Sequence, residues 1–164
     1  LMINATSNAI AHFSNFDIQY RLRVKWDQFR VTRDQPEPVP ESTLKVFEAA
    51  IGRPLPATYR QFIAAYSDAY VSACAGADGS SPGAFYGLRE NSGDSLIGEW
   101  VGSRDWLPHF IIPIADDLSC GWTICMNIDG PSFGEVSTCY SYEEPEVIAS
   151  SFTDFLLRLE IDLS

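Results

Sequence analysis

The chain has 164 residues, and its 11 Lys and Arg against 22 Asp and Glu give a formal net charge of −11. This length suits one domain, alone or with a short appendage, and the 46% hydrophobic content supplies material for a core. The acidic excess argues against nucleic acid as a partner, because phosphates attract a basic footprint, and against an anionic membrane surface. An acidic chain is suited instead to basic protein partners.

Targeting and cysteine signals both indicate a cytoplasmic location. No apolar run reaches the about 18 residues that a membrane-spanning helix needs, and the first residues lack the basic and apolar regions of a secretory signal. The four cysteines form no C-x-x-C pair and are too few for a disulfide scaffold. We therefore expect free thiols in a reducing compartment, with Cys125 and Cys139 buried in strands.

Residues 1–39 are predicted to form an N-terminal appendage to a main domain at residues 40–164. The appendage starts with a weak helical pattern. Apolar and polar side chains then alternate from Ile18 to Trp26, which predicts a half-exposed strand with a cationic face, although a helix stays open as the alternative. The strand would extend a sheet edge or pair with a second copy in a homodimer. A Pro-rich connector at 34–40 separates the appendage from the main domain.

Helical periodicity begins after the connector. Ser42 is the predicted N-cap of a first helix, and Gly52 is its predicted C-terminal stop. A second helix is predicted from about Ala57 to Tyr66. Glycine, serine and aspartate dominate residues 67–98, so we expect loops there around one short strand near residues 85–88.

Strand patterns follow from residue 110 onwards. The apolar run 110–114 is predicted to be a strand at a sheet edge or a strand end, because Pro113 donates no ladder hydrogen bond. Residues 122–128 and 135–142 are predicted to be hairpin partners, and a last helix is predicted to begin after a Ser151 cap. This order indicates an α+β fold with a central antiparallel sheet and helices packed on one side.

The sequence contains no motif that indicates catalysis, a cofactor or a metal. Its histidines are His12 and His109, and nothing in the sequence pairs either one with a cysteine nucleophile. Cys120 and Cys125 have no further Cys or His at zinc-site spacing. Phosphate-binding loops and nucleophile elbows are also missing from the sequence. We therefore predict a protein that is not an enzyme and holds no cofactor.

The acidic charge is concentrated in the later part of the chain. Residues 1–60 carry a net charge of +2, whereas residues 61–164 carry −13. A negative field of this kind speeds encounter with a cationic protein, although the acidic residues could instead be solvated turn residues. Aromatic side chains near them could anchor an interface. The alternative for these aromatic side chains is packing in the core. The predicted partner-binding residues are Asp116, Asp117, Trp122, Glu143, Glu144, Glu146, Trp100, Trp106 and Tyr142, with Tyr86 and Tyr140 as further aromatic candidates.

An ordered set of motifs resembles a known family. The stretch EAAIGRPLPATYRQFI occupies residues 48–63. Later landmarks follow in order, namely Leu107-Pro108, Ile112-Pro113-Ile114-Ala115-Asp116-Asp117, Gly121, Ile128-Asp129, Gly134 and Ser150-Ser151-Phe152. Together these motifs resemble the SUKH superfamily, which includes the yeast cell-wall glucan-synthesis regulator and many bacterial immunity proteins.

The resemblance implies a SUKH-like fold and a cytoplasmic protein-binding domain without catalysis. In bacteria, such domains typically neutralise a cognate polymorphic toxin, often a nuclease, that is delivered by contact-dependent inhibition or type VI secretion. The resemblance therefore implies an immunity protein that occludes a toxin domain, and the charge pattern predicts that this toxin is basic. A scaffold or regulator of the fungal cell-wall type is the alternative that stays open.

Overall fold

The computed structural model describes residues 38–67, 73–74, 82–88 and 95–161. The predicted strand from Ile18 to Trp26 and its dimer role lie outside these residues and stay predictions. In chain order, the described elements are α1 (Glu41–Ile51), α2 (Ala57–Tyr66), β1 (Ala73–Cys74), β2 (Pro82–Phe85), α3 (Leu96–Gly102), β3 (Ile111–Asp117), β4 (Trp122–Asn127), a 3-10 turn (Gly130–Ser132), β5 (Val136–Cys139), β6 (Glu146–Ala149), α4 (Phe152–Arg158) and β7 (Glu160–Ile161).

The central element is a five-stranded antiparallel sheet with the strand order β2-β3-β4-β5-β6. Each strand pairs with its neighbour in sequence, as short connections favour. Strands β1 and β7 form a separate two-stranded ladder, in which Ala73 pairs with Ile161. The sheet and the four described helices confirm the predicted α+β fold.

The main core lies on the face of the sheet that packs against helices α1, α2 and α4. Its centre is aromatic. The Phe62 ring centroid lies 4.8 Å from that of Phe85 and 5.2 Å from that of Phe152, and the Tyr59 centroid lies 5.0 Å from that of Phe152. These edge-to-face contacts join α2, β2 and α4, and burial of each ring contributes roughly 1.5–3 kcal/mol to stability.

A smaller apolar cluster covers part of the opposite face of the sheet. Strand alternation turns Ile111 and Cys125 away from the main core. There they meet Leu107 and Cys139, and Trp106 packs against them. The segment that follows α3 therefore covers the face that the main helix layer leaves open.

The predicted ends of two helices are confirmed. Gly52 has φ 73°, and the Arg53 N–H donates to the Glu48 carbonyl at 3.1 Å, so α1 ends in a left-handed residue as predicted. The Ser151 hydroxyl accepts from the Asp154 N–H at 3.0 Å, which confirms the N-cap of α4. In both cases the terminal polar groups are satisfied within a few residues, so the sequence signal is local.

The predicted N-cap of α1 is wrong. The helix begins at Glu41, one residue before Ser42, and no side chain caps it. Pro40 occupies the N-cap position with φ −60°, and its carbonyl accepts from the Leu44 N–H at 3.2 Å. The fixed φ of the proline therefore starts the helix earlier than a serine cap would.

A carboxylate joins α1 to α2. The Glu48 Oε1 atom accepts from the Leu55 N–H at 3.0 Å and from the Arg60 Nε at 3.0 Å. The Arg60 guanidinium also donates to Glu41 at 2.7 Å, and this hydrogen bond lowers the pKa of the Glu41 carboxyl. Glu48 therefore ties the short connection between the helices to α2, and its charge strengthens both bonds.

Strand β3 corrects the expectation of an edge position. It lies inside the sheet, between β2 and β4. Strand β4 pairs along its whole length, whereas the described pairs with β2 involve Ala115 and Asp117, and the β3–β4 register shifts between Pro113 and Ala115. The proline therefore sits at a bulge beyond the reach of β2, where a residue without an N–H is tolerated.

The described part of the glycine-rich stretch before β3 differs from the prediction in its strand and contains the start of a helix. Its strand is β2 at Pro82–Phe85 rather than near residues 85–88, and it also contains the start of α3. The Ser95 hydroxyl accepts from the Gly98 N–H at 3.2 Å and caps this helix. Two glycines hide the helical period, and burial of Leu96 in the main core compensates for their low helix propensity.

The predicted hairpin of residues 122–128 and 135–142 is confirmed by the pairing of β4 with β5, but its second strand is shorter than predicted. Strand β5 ends at Cys139, and after the acidic turn β6 begins at Glu146. Four residues are too few to show a strand period, so β6 is defined by its pairing with β5.

We expect Glu48→Ala to lower the free energy of unfolding by about 1.5–3 kcal/mol, because the Leu55 N–H and Arg60 both lose a charged acceptor. Glu48→Gln keeps an oxygen acceptor and should lose less. Urea unfolding followed by circular dichroism measures both changes. If the Glu48→Ala variant were as stable as the wild type, the connection between α1 and α2 would not depend on this carboxylate.

Among the residues that the structure describes, Tyr59 has a buried hydroxyl with no hydrogen-bond partner. Burial also raises the pKa of this phenol. Tyr59→Phe keeps the ring and removes the unpaired hydroxyl, so we expect unchanged stability or a gain of up to about 1 kcal/mol in urea unfolding. Tyr59→Leu is the control, and it should lose stability because ring contacts disappear. A clear loss in Tyr59→Phe would contradict this account of the hydroxyl.

Candidate protein-binding surface

The sheet brings the two acidic segments to the same end. In a series of antiparallel strands, every second connection lies at the same end of the sheet. The β3–β4 turn and the β5–β6 turn are two such connections, so residues 116–122 and 140–146 come together. We name these two segments the acidic end. Neither segment contains Lys, Arg or His.

Three glutamates make the acidic end strongly negative. Glu143, Glu144 and Glu146 are exposed, and none of them forms an ion pair within the described part of the chain. The Glu143 N–H donates to the Tyr140 carbonyl at 3.1 Å, which closes the β5–β6 turn. These carboxylates are therefore solvated charges that a basic protein can approach.

The two aspartates of β3 have different surroundings from the glutamates. Asp117 is 2% exposed, and its Oδ1 accepts from the Ser119 N–H at 2.9 Å and the Ser119 hydroxyl at 2.6 Å. It shapes the β3–β4 turn and adds no exposed carboxylate. Asp116 is partly exposed and accepts from the Tyr86 hydroxyl at 2.5 Å. Burial and this bond raise the pKa of the buried Tyr86.

Aromatic rings accompany the glutamates. The Trp122 and Tyr140 rings are stacked, with centroids 5.8 Å apart and planes at 28°. Tyr140 is 49% exposed and Tyr142 is 86% exposed. Tyr142 also has φ 64°, a left-handed conformation that costs a non-glycine residue roughly 1–2 kcal/mol. The acidic end therefore exposes large aromatic rings beside carboxylates that form no ion pair with a described residue.

Two of the sequence-predicted aromatic residues lie elsewhere. Trp100 belongs to α3, makes an edge contact with Phe47 of α1 at 6.2 Å, and carries the Arg104 guanidinium 5.0 Å from its ring centroid. Trp106 packs on the smaller apolar cluster. Core packing accounts for both side chains, so the structure does not bring them to the acidic end.

Sequence reasoning missed two exposed apolar side chains near this end, Leu118 and Val147. Leu118 lies directly over β2, since a Cβ atom on Gly83 would come within 2.8 Å of the leucine Cγ. A side chain at position 83 would therefore displace the Leu118 side chain. A single leucine in a turn that also contains Ser119 and Gly121 is a weak sequence signal for an interface.

The described cations all have partners away from the acidic end. These contacts are Lys45–Glu41 at 4.0 Å, Arg53–Asp129 at 2.8 Å, Arg60–Glu41 at 2.7 Å, Arg158–Asp154 at 2.7 Å and Arg104 over Trp100. The excess negative charge at the acidic end is therefore not neutralised by any described Lys or Arg.

The described residues offer little for catalysis. Cys125 and Cys139 are buried, as predicted, and burial raises the pKa of the Cys125 thiol, so it stays protonated at neutral pH. Within the described ranges, no three His, Cys, Asp or Glu residues are placed to hold a metal ion. A pocket of about 220 Å³ lies at the opposite end of the sheet, lined by Phe110, Asn127, Asp129, Gly130, Pro131 and Ser132.

Comparison with protein families settles the classification. Residues 38–158 match the model of the SMI1 / KNR4 family (SUKH-1). The chain belongs to this family. The match covers α1 through α4, and it confirms the resemblance drawn from the motifs at residues 48–63 and beyond. No curated protein matches the chain.

Membership in this family supports an immunity-like or SMI1/KNR4-type function, with a protein as the partner. Domains of the family are generally non-enzymatic immunity or regulatory proteins. Among the described helices, none is long and apolar enough to cross a membrane.

We expect the cysteines to differ strongly in reactivity. Cys120 is exposed, whereas Cys125 and Cys139 are buried. Iodoacetamide under native conditions should label Cys120 at least tenfold faster than the two buried thiols, as measured by mass spectrometry of peptides. Urea should abolish the difference. Rapid labelling of Cys125 under native conditions would instead show an accessible thiolate and would favour a catalytic role for this cysteine.

Proposed function

We propose that the chain is a cytoplasmic immunity protein that binds and neutralises a basic toxin domain through the acidic end. The observation that carries the proposal is the juxtaposition of exposed carboxylates and exposed aromatic rings at residues 140–146, with no Lys, Arg or His in either turn. Family membership supports a protein partner, and the charge of this surface supports a basic one.

The carboxylates favour fast and selective association. Glu143, Glu144 and Glu146 have no described ion pair to break, so a cationic protein gains their attraction without loss of a described contact. Local fields of one sign also raise association rates and repel acidic proteins.

The aromatic rings supply binding energy that charge alone does not. Interfaces depend on a few desolvated anchors, among which Tyr, Trp and Arg are enriched. Tyr140, Tyr142 and Leu118 expose apolar surface, and its removal from water is worth roughly 25 cal/mol per Å². The surface therefore combines apolar anchors with a charged rim, as stable interfaces do.

Occlusion of a nuclease-type toxin is consistent with this chemistry. A nuclease holds the phosphates of its substrate on a basic surface. An acidic end that covers such a surface competes with the substrate for the same basic side chains. The contacts that bind the toxin would therefore also inhibit it.

The decisive comparison uses two substitutions with the same change of net charge. Glu144→Lys lies in the acidic end, whereas Asp105→Lys lies in the exposed turn after α3. We expect Glu144→Lys to weaken binding of the toxin domain encoded by the neighbouring gene by about 5–30-fold, which corresponds to roughly 1–2 kcal/mol. Asp105→Lys should stay within twofold. Calorimetry at low and physiological salt measures both affinities.

Two results would contradict the proposed surface. One is an equal effect of Glu144→Lys and Asp105→Lys, since that indicates a response to net charge alone. The other is wild-type affinity and salt dependence when Glu143, Glu144 and Glu146 are all replaced by Lys. Growth protection of cells that express the toxin domain provides a second readout of neutralisation.

A further inference from the structure

We infer that the acidic end recognises an arginine side chain, whose guanidinium stacks on Tyr140 and bonds to a neighbouring carboxylate. This inference rests on the proposed function and names the chemistry of the partner's anchor. The proposed ligand of the stacked Trp122 and Tyr140 rings is an arginine-bearing segment of a basic protein.

The stacked pair provides a fixed platform. Thr123 pairs with Cys139, so Trp122 and Tyr140 are the next opposed residues towards the acidic end. Their rings are stacked at 5.8 Å, and Trp122 is only partly exposed, so it supports the Tyr140 ring from one side. Tyr140 is about half exposed and therefore offers ring surface to a ligand without a prior change of conformation.

A carboxylate lies on the same face of the sheet as this platform. Trp122 and Ile124 share a face of β4, Ile124 pairs with Thr138, and Thr138 pairs with Glu146. Glu146 therefore lies on the face of Trp122, against which the Tyr140 ring stacks. Diagonal neighbours on adjacent strands have Cα atoms about 7–8 Å apart. A guanidinium on the Tyr140 ring is then within reach of the Glu146 carboxylate. Asp116 does not take part, because it pairs with Thr123 and therefore faces the opposite side.

The geometry favours arginine over lysine. A guanidinium is planar, weakly hydrated and able to stack on a ring while it donates hydrogen bonds in its own plane to a carboxylate. An ammonium is a compact, strongly hydrated charge that does not stack. The chain itself contains the same contact, since Arg104 lies over Trp100 at 5.0 Å. In the part of the chain that the structure describes, no cation covers Trp122 or Tyr140.

The test uses two short peptides on the intact chain, acetyl-Gly-Arg-Gly-amide and acetyl-Gly-Lys-Gly-amide. Amide NMR titration at millimolar concentration should give saturable shifts at residues 140–146 and at the Trp122 indole N–H. We expect the arginine peptide to bind about threefold more tightly, because the planar guanidinium adds stacking and in-plane hydrogen bonds to the cation–π attraction that both cations have.

Matched variants locate the contact. Tyr140→Leu should weaken the arginine peptide about two- to fivefold, whereas Tyr140→Phe keeps the ring and should stay within twofold. Phe133→Leu removes an exposed ring at the other end of the sheet and should also have no effect. Retained amide spectra show that each variant is folded.

Equal affinity for the two peptides, or wild-type affinity in Tyr140→Leu, would overturn the inference. Either result leaves the proposed function intact if Glu144→Lys still weakens the toxin complex. Conversely, selective arginine binding together with an unaffected toxin complex would refute the proposed function and keep the arginine site.

Discussion

The antiparallel order of β3, β4, β5 and β6 is the constraint on which the rest of the structure depends. Because direction reverses at each connection, the first and third turns must lie at the same end of the sheet. That rule brings residues 116–122 to residues 140–146, and it places the 3-10 turn and its pocket at the other end. The acidic end is therefore a consequence of strand order, and the main core holds that order in place.

The buried and the exposed aromatic rings lie in different parts of the molecule. The rings of Phe62, Phe85 and Phe152 are buried between helices and sheet, where their contacts stabilise the fold. The rings of Tyr140 and Tyr142 stay in water, and Tyr142 adopts a left-handed backbone conformation. Such exposure and strain do not help folding, and they are common where a protein binds a partner.

Local signals predicted the parts of the fold that depend on a few neighbouring residues. Gly52 and Ser151 end and cap their helices because their partners lie within five residues. The Ser42 cap was wrong for a local reason, the fixed φ of Pro40, but the other wrong predictions concern elements whose deciding contact is distant. Helix α3 contains two glycines but buries Leu96, β6 is a strand because β5 lies beside it, and β3 runs inside the sheet because a bulge accommodates Pro113.

The sequence by itself determined the fold class, the family and the concentration of negative charge after residue 60, since each follows from composition, periodicity or local motifs. The tertiary structure decided which charged and aromatic residues share a surface. It buried Asp117, turned Asp116 to the other face, and packed Trp100 and Trp106 elsewhere. The physical reason is that the face on which a side chain lies depends on strand pairing and register, and a register change of one residue turns every side chain of a strand to the other face.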